Sequence, residues 1–137
     1  MTTLTAQQAR DRAEQYARET ATALGPDASL AKAPGGDVEC DDLDPPGRVT
    51  VGVDYFLTVP ATTNRQVMDT VYTYWTARGF SALDDSRTSV RPRLTLQNNT
   101  DGFRIGITEG GTGGLSLGAS SPCVWPNGTP PTATDGQ

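Results

Sequence analysis

The sequence predicts an α+β fold: a two-layer sandwich in which two helices cover a mainly antiparallel sheet of about five strands and leave one sheet face uncovered. Apolar residues alternate from Val49 to Val59, which predicts one long strand. An amphipathic helix follows, and after it come short alternating segments joined by turns. Strands joined by short turns are antiparallel, and one helix after the first strand covers a single face. The principal elements follow the order α-β-α-β-β-β.

The first helix begins at Thr5, because Thr5 and Gln8 form a capping-box pattern, and it ends at Gly25-Pro26. The residues predicted to face the core are mostly small: Ala9, Ala13, Tyr16, Thr20 and Leu24. Such a stripe buries little area, so residues 1–25 are expected to form a peripheral N-terminal helix. Glycines and prolines then punctuate residues 26–47, which predicts a long loop.

The second helix is predicted from Thr63, again with a capping box to Gln66, and it ends near Gly79. Its apolar arc includes Val67, Val71 and Trp75, so we expect it to be the main helix packed on the sheet.

Beyond Gly79 the chain reads as a meander within a single domain over residues 26–126. Short strands are predicted at 80–83, 90–97, 103–107 and 115–119, with a turn at Asp84–Ser86 and a hairpin at Asn98–Gly102. Residues 127–137 are predicted to be a disordered tail.

Composition excludes several classes of function. Histidine is absent, which removes histidine-dependent triads and dyads, and no nucleotide-binding or cofactor motif is present, so no cofactor is expected. The net charge of −5 argues against nucleic acid as a partner. No apolar run approaches the roughly 18 residues of a membrane span, so no transmembrane segment is expected.

The two cysteines, Cys40 and Cys123, allow three interpretations: a disulfide, two buried thiols or one reactive thiol. We favour the disulfide, because both lie in loop-like sequence rather than in apolar stretches. Disulfides persist outside the cytosol, which predicts export. The N-terminal residues do not resemble a leader peptide, so we expect the chain to be a mature form whose leader has been removed.

Three short motifs carry a family resemblance: Trp75 to Phe80 at a helix end, Asp101-Gly102-Phe103 in a hairpin, and Ser121-Pro122-Cys123 after the last strand. With them, residues 48–126 resemble the mature part of small actinobacterial secreted proteins and lipoproteins of uncharacterised function. The resemblance implies an extracellular or cell-envelope location and a half-cystine role for Cys123, and it leaves open whether the native precursor carries a lipid anchor. This chain itself has no lipobox cysteine.

An acidic run, which spans Asp37 to Asp44, offers a weak candidate for Ca²⁺ binding. Its closely spaced carboxylates suit a hard cation, and the candidate ligands are Asp41, Asp42 and Asp44. The spacing does not match an EF-hand loop, so a solvated acidic loop is the favoured interpretation and no metal is expected.

The uncovered sheet face is the main candidate binding surface. If Val49, Val51 and Val53 point to the core, the alternate residues point away from it. The predicted ligand-binding residues are Asp54, Phe56, Arg93, Gln97 and Arg104. We expect the glycines at 52, 106 and 118 to let a ligand approach the backbone. The alternative is an ordinary solvated face with an Asp–Arg pair.

These observations predict an exported, non-enzymatic envelope or extracellular module, stapled by a disulfide, that binds an unknown protein or polar ligand. An alternative is an inhibitor or immunity-type protein that uses the acidic loop. A third hypothesis is a hydrolase that uses two carboxylates, Asp54 and Glu109, as general acid and base.

Overall fold

The computed structural model describes residues 4–40 and 47–129. They form two α-helices and seven β-strands: α1 Ala6–Ala23, β1 Ser29–Lys32, β2 Asp37–Glu39, β3 Val49–Thr58, α2 Asn64–Ala77, β4 Phe80–Ser86, β5 Arg93–Asn98, β6 Arg104–Glu109 and β7 Leu115–Ser120. The predicted α+β class is confirmed, but the strand count of about five is too low. The prediction of one long loop over 26–47 is wrong, because this segment contains β1 and β2.

The strands form one antiparallel sheet in the order β1-β3-β7-β6-β5-β4, and β2 also pairs with β3. Strands β1 and β2 lie along the same edge of β3, where Leu30 is opposite Leu57 and Val38 is opposite Thr50. Residues 33–36 interrupt them. The long strand β3, whose position was not predicted, therefore lies between this broken edge strand and the last strand of the chain.

Strand β4, at the other edge of the sheet, is longer than predicted. The expected turn at Asp84–Ser86 is wrong, since these residues continue β4 and pair with β5. The pairing register shifts between Ala82 and Asp84, so this edge strand is also irregular. The hairpin at Asn98–Gly102 is confirmed: Asn98 Oδ1 accepts hydrogen bonds from the backbone of Thr100 and Asp101, and Gly102 has φ +76°.

Both helices begin where the sequence predicts, and both capping boxes form. Helix α1 is not peripheral. It packs on β3 and β7, and its alanines at 9, 13 and 17 are completely buried, because small side chains let the helix backbone approach the sheet. Trp75 of α2 donates a hydrogen bond of 2.9 Å from Nε1 to Thr20 Oγ1 of α1, which joins the helices in one core.

The core lies between the helices and one face of the sheet, which we call the covered face. Its sheet residues are fully or nearly fully buried: Val51, Val53, Tyr55, Leu57, Leu94, Leu96, Ile105, Ile107, Leu115, Leu117 and Ala119. The alternate residues of the same strands form the opposite surface, which we call the bare face. The predicted one-sided helical cover is therefore present in the described part of the chain.

The predicted disulfide is present between Cys40 and Cys123, with Cα atoms 6.3 Å apart. Cys40 follows β2, whereas Cys123 follows β7 in a segment whose Val124 forms a bridge with Val49. The bond therefore ties together the two segments that flank the start of β3. Thr50 Oγ1 lies 3.3 Å from Cys40 Sγ and 3.8 Å from Cys123 Sγ.

Candidate functional site

The bare face places all five predicted ligand-binding residues on one surface. Asp54 and Phe56 lie on β3, Arg104 lies on β6, and Arg93 and Gln97 lie on β5, each at a register position whose neighbours along the strand belong to the covered face. Pairing registers connect residues across the strands into rows. The central row consists of Asp54, Gly118, Gly106 and Thr95.

The carboxylate of Asp54 occupies a slot between two glycines from different segments. A methyl group at Gly118 on β7 would come within 2.7 Å of Asp54 Oδ1, and one at Gly35 would come within 2.9 Å of Oδ2. These distances are shorter than van der Waals contact allows, so any residue with a Cβ atom at either position would displace the carboxylate. The two glycines therefore leave the space that this carboxylate occupies.

The glycines of this face leave space that neighbouring atoms occupy. Gly118 gives room to Asp54, and a Cβ atom at Gly106 would lie 3.2 Å from Thr95 Oγ1 and 3.1 Å from the Leu94 carbonyl oxygen. A Cβ atom at Gly52 would lie 3.4 Å from the Gly36 carbonyl oxygen. The expectation that these glycines let a ligand approach the backbone stays a prediction.

The arginines of the bare face are bound to residues other than Asp54. Arg104 donates a hydrogen bond of 3.0 Å from Nε to Gln97 Oε1, and Arg93 donates one of 2.6 Å from Nε to Asp84. Hydrogen bonds from Ser86 and then from Arg93 lower the pKa of the Asp84 carboxyl. An Asp–Arg pair therefore forms at Asp84, whereas the carboxylate of Asp54 has no hydrogen bond or ion pair with the residues described here.

Two exposed apolar residues lie on the same face as Asp54. Phe56, two residues further along β3, has 54% of its surface exposed, and Val38 on β2, opposite Thr50, has 65% exposed. On β7, Ser116 and Ser120 flank Gly118 on the same face and are half-buried. The side of the bare face that β3 forms thus combines one carboxylate, one aromatic ring and two hydroxyl groups.

A cavity of about 470 Å³ adjoins Asp54 where residues 33–36 interrupt the edge strand. Its lining includes Gly35, Gly36 and two cations, Arg10 and Lys32. Arg10 is paired with Asp37 at 2.6 Å, and Lys32 is paired with Glu14 at 3.0 Å. Both cations of the cavity are therefore neutralised by carboxylates other than Asp54.

The hypothesis of a catalytic pair formed by Asp54 and Glu109 fails on geometry. Asp54 lies on the bare face opposite Gly118, whereas Glu109 is paired with the buried Leu115 and its Oε1 accepts a hydrogen bond of 2.8 Å from Asn64 of α2. The two carboxylates therefore lie on opposite faces of the sheet. One substrate cannot contact both.

No cluster of three or more potential metal ligands occurs among residues 4–40 and 47–129. The Ca²⁺ candidates Asp41, Asp42 and Asp44 lie outside the described residues, as does most of the predicted tail. Within the same described ranges, neither helix is long and apolar enough to cross a membrane.

The chain was compared with protein-family models, curated proteins and solved structures, and none of them matches it. The function is therefore argued from the residues of this chain alone.

Proposed function

We propose that this protein is an exported, non-enzymatic binding module that recognises a partner through the bare face of its sheet. The observation that carries the proposal is the exposed carboxylate of Asp54, which lies in the space left by two glycines, near the exposed ring of Phe56, and which no described residue pairs. A charged group that is exposed and not neutralised is suited to bind a complementary group of another molecule.

The distribution of the helices supports this choice of surface. Both helices pack on the covered face, so their exposed sides carry the ordinary polar surface of amphipathic helices. The bare face instead presents a broad antiparallel surface with hydroxyl, amide, aromatic and charged groups. Such a mixture gives hydrogen-bonding groups for specificity and an aromatic anchor for affinity.

Two observations support export. The disulfide joins segments that are 83 residues apart, and disulfides persist mainly in oxidising compartments. The motifs at Trp75, Gly102 and Cys123 give the resemblance to secreted and envelope proteins described above. We expect the extracellular space or the cell envelope as the location, and detection of the native protein with both thiols free in the cytosol would contradict it.

The separation of the carboxylates supports a binding role over hydrolysis. The titratable groups that line the cavity beside Asp54 are already paired, since Asp37 binds Arg10 and Lys32 binds Glu14. The absence of histidine from the sequence also removes the residue that most often transfers protons in enzymes.

The test is a selection of peptides from a random display library on the oxidised full-length protein. Selected peptides are then measured against Thr108→Arg/Ser116→Arg, which places two bulky side chains on the bare face. The control is Thr70→Arg/Thr73→Arg, which makes the same chemical change on the exposed side of α2. We expect at least about a tenfold loss of affinity for the bare-face variant and less than about a twofold change for the control.

The proposal is wrong if the selected peptides respond to the helix variant and not to the bare-face variant. A selection that yields no peptide with a dissociation constant below about 1 mM also counts against it. Circular dichroism of both variants checks that the added arginines leave the fold intact.

A further inference from the structure

We infer that Asp54 is the anchor for an arginine side chain of the partner protein, an inference that rests on the proposed function. The slot formed by Gly35, Asp54 and Gly118, together with Phe56, constitutes the site.

The charge of the site selects a cation. The Asp54 carboxylate is exposed, and the arginines of the bare face are bound to Gln97 and Asp84. In the adjoining cavity, Arg10 and Lys32 have their own carboxylate partners. One negative charge thus remains at this side of the face, and a cationic group of the partner complements it.

The carboxylate lies in the space that two glycines leave. A Cβ atom at Gly118 would come within 2.7 Å of Oδ1 and one at Gly35 within 2.9 Å of Oδ2, so glycine at both positions accommodates the carboxylate. A carboxylate that has no partner within the protein binds a ligand without first giving up an ion pair. Arginine gains most from such a group, because its planar guanidinium binds the two oxygens of a carboxylate with two parallel hydrogen bonds.

The neighbouring groups also fit a guanidinium. Phe56 lies two residues from Asp54 on the same face, a separation of about 7 Å along a strand, so its ring is within reach of a cation bound to the carboxylate. Guanidinium stacks on aromatic rings and still has N–H donors to spare. Ser116 and Ser120, diagonal to Asp54 across the pairing with β7, offer hydroxyl acceptors for those donors.

Other cations fit the same groups less well. Ca²⁺ requires six to eight oxygen ligands, and one carboxylate with two hydroxyls does not supply them. Lysine presents a compact, strongly hydrated ammonium that neither stacks on a ring nor binds both carboxylate oxygens in parallel. Of the cations compared, an arginine side chain of a protein partner therefore forms the most interactions with these groups.

The experiment titrates the ¹⁵N-labelled oxidised protein with three blocked tripeptides, acetyl-Gly-X-Gly-amide, in which X is arginine, lysine or citrulline. Citrulline has nearly the shape of arginine without its charge. We expect the arginine peptide to shift the amide signals of Asp54, Phe56 and Gly118 with a dissociation constant in the millimolar range, because it carries one anchor only. The lysine peptide should bind at least about threefold more weakly, and citrulline should produce no saturable shift.

Three variants assign the effect to the site. Asp54→Asn should weaken arginine binding at least about tenfold, whereas Asp27→Asn, the same change at an exposed residue after α1, should leave it unchanged. Gly118→Ala keeps every charge but pushes the carboxylate from its slot, so it should also weaken binding several-fold. Adding Gly118→Ala to Asp54→Asn should produce no further loss, since both act on one group.

Equal shifts with citrulline, equal affinity of lysine and arginine, or an unchanged affinity of Asp54→Asn would each overturn the inference. The peptide selection separates this failure from failure of the proposed function. Suppose that the selected peptides lack arginine and bind Asp54→Asn as tightly as wild type, but lose affinity for Thr108→Arg/Ser116→Arg. The bare face would then remain the proposed binding surface, and the inference that Asp54 binds an arginine would be wrong.

Discussion

The two faces of the sheet are built from the same strands but depend on different interactions. On β5, Leu94 and Leu96 are completely buried under the helices, whereas Thr95 and Gln97 between and after them are only half-buried on the bare face. The covered face obtains its stability from buried apolar area. The bare face buries little apolar area. The interactions described there are the Cys40–Cys123 disulfide and a few side-chain hydrogen bonds.

This difference implies a division between stability and recognition. Residues on the covered face are constrained by close packing, so their replacement changes folding. Residues on the bare face are free to serve binding, because most of them make no contact on which the core depends. The following predictions test that division, beginning with the largest effect.

Removal of the disulfide should cause the largest loss. For a cross-link that closes a loop of about 84 residues, chain entropy gives about 4.5 kcal/mol of stabilisation. We expect Cys40→Ala/Cys123→Ala to lower the free energy of unfolding by about that amount, measured by urea denaturation. Reduction of the wild-type protein should reproduce the loss, and reductant should not affect the double variant. A loss below about 1 kcal/mol would show that the disulfide contributes little to the stability of the fold.

A pair of neighbouring substitutions tests the two faces directly. Ile107 is 1% exposed on the covered face, and Thr108 is exposed on the bare face. Ile107→Ala should cost about 2–5 kcal/mol because it leaves a cavity in the core, whereas Thr108→Ala should change stability by less than about 0.5 kcal/mol. Similar costs for the two variants would contradict the division.

The smallest expected effect concerns Tyr16 and high pH. Partial burial and the hydrogen bond from its phenol to Asp101 raise the pKa of Tyr16 well above its ordinary value. The folded state therefore keeps the neutral phenol, which stabilises it fully below the unfolded-state pKa of about 10 and progressively less as the pH rises above that value. Melting temperatures should fall above about pH 10, and Tyr16→Phe should reduce this slope.

Burial also raises the pKa of Tyr55, so Tyr16→Phe should leave part of the slope in place. The matched control is Tyr74→Phe, whose ring contacts the Arg78 guanidinium instead of donating to a carboxylate. A slope that is the same in wild type and in Tyr16→Phe would show that the Tyr16–Asp101 hydrogen bond has no such effect.

The elements that the sequence predicts correctly are those with local signals. Capping boxes locate the starts of both helices, and six alternating apolar residues locate β3. Strands β1 and β2 escape prediction because they are four and three residues long and nearly all their residues are exposed. Their strand conformation depends on pairing with β3, which is a contact between distant segments that no local pattern records.

The same limit applies to the site. Alternation along each strand correctly places Asp54, Phe56 and Arg104 on one face, because the side-chain period of a strand is fixed. The slot around Asp54 requires in addition the register of β7 against β3 and the path of the chain at Gly35. Neither can be read from the sequence, because both depend on contacts between distant segments of the chain.

The interruption between β1 and β2 and the register shift in β4 have a further consequence, for assembly. Sheet edges expose unpaired N–H and C=O groups, which can template the addition of strands from other molecules and lead to fibrils. Here one edge is broken after four residues by a segment that contains Pro34, and the other is broken between Ala82 and Asp84. Neither edge offers a long uninterrupted template for strand addition. The protein can therefore expose one face of a wide sheet while edge-to-edge association of its copies stays unfavourable.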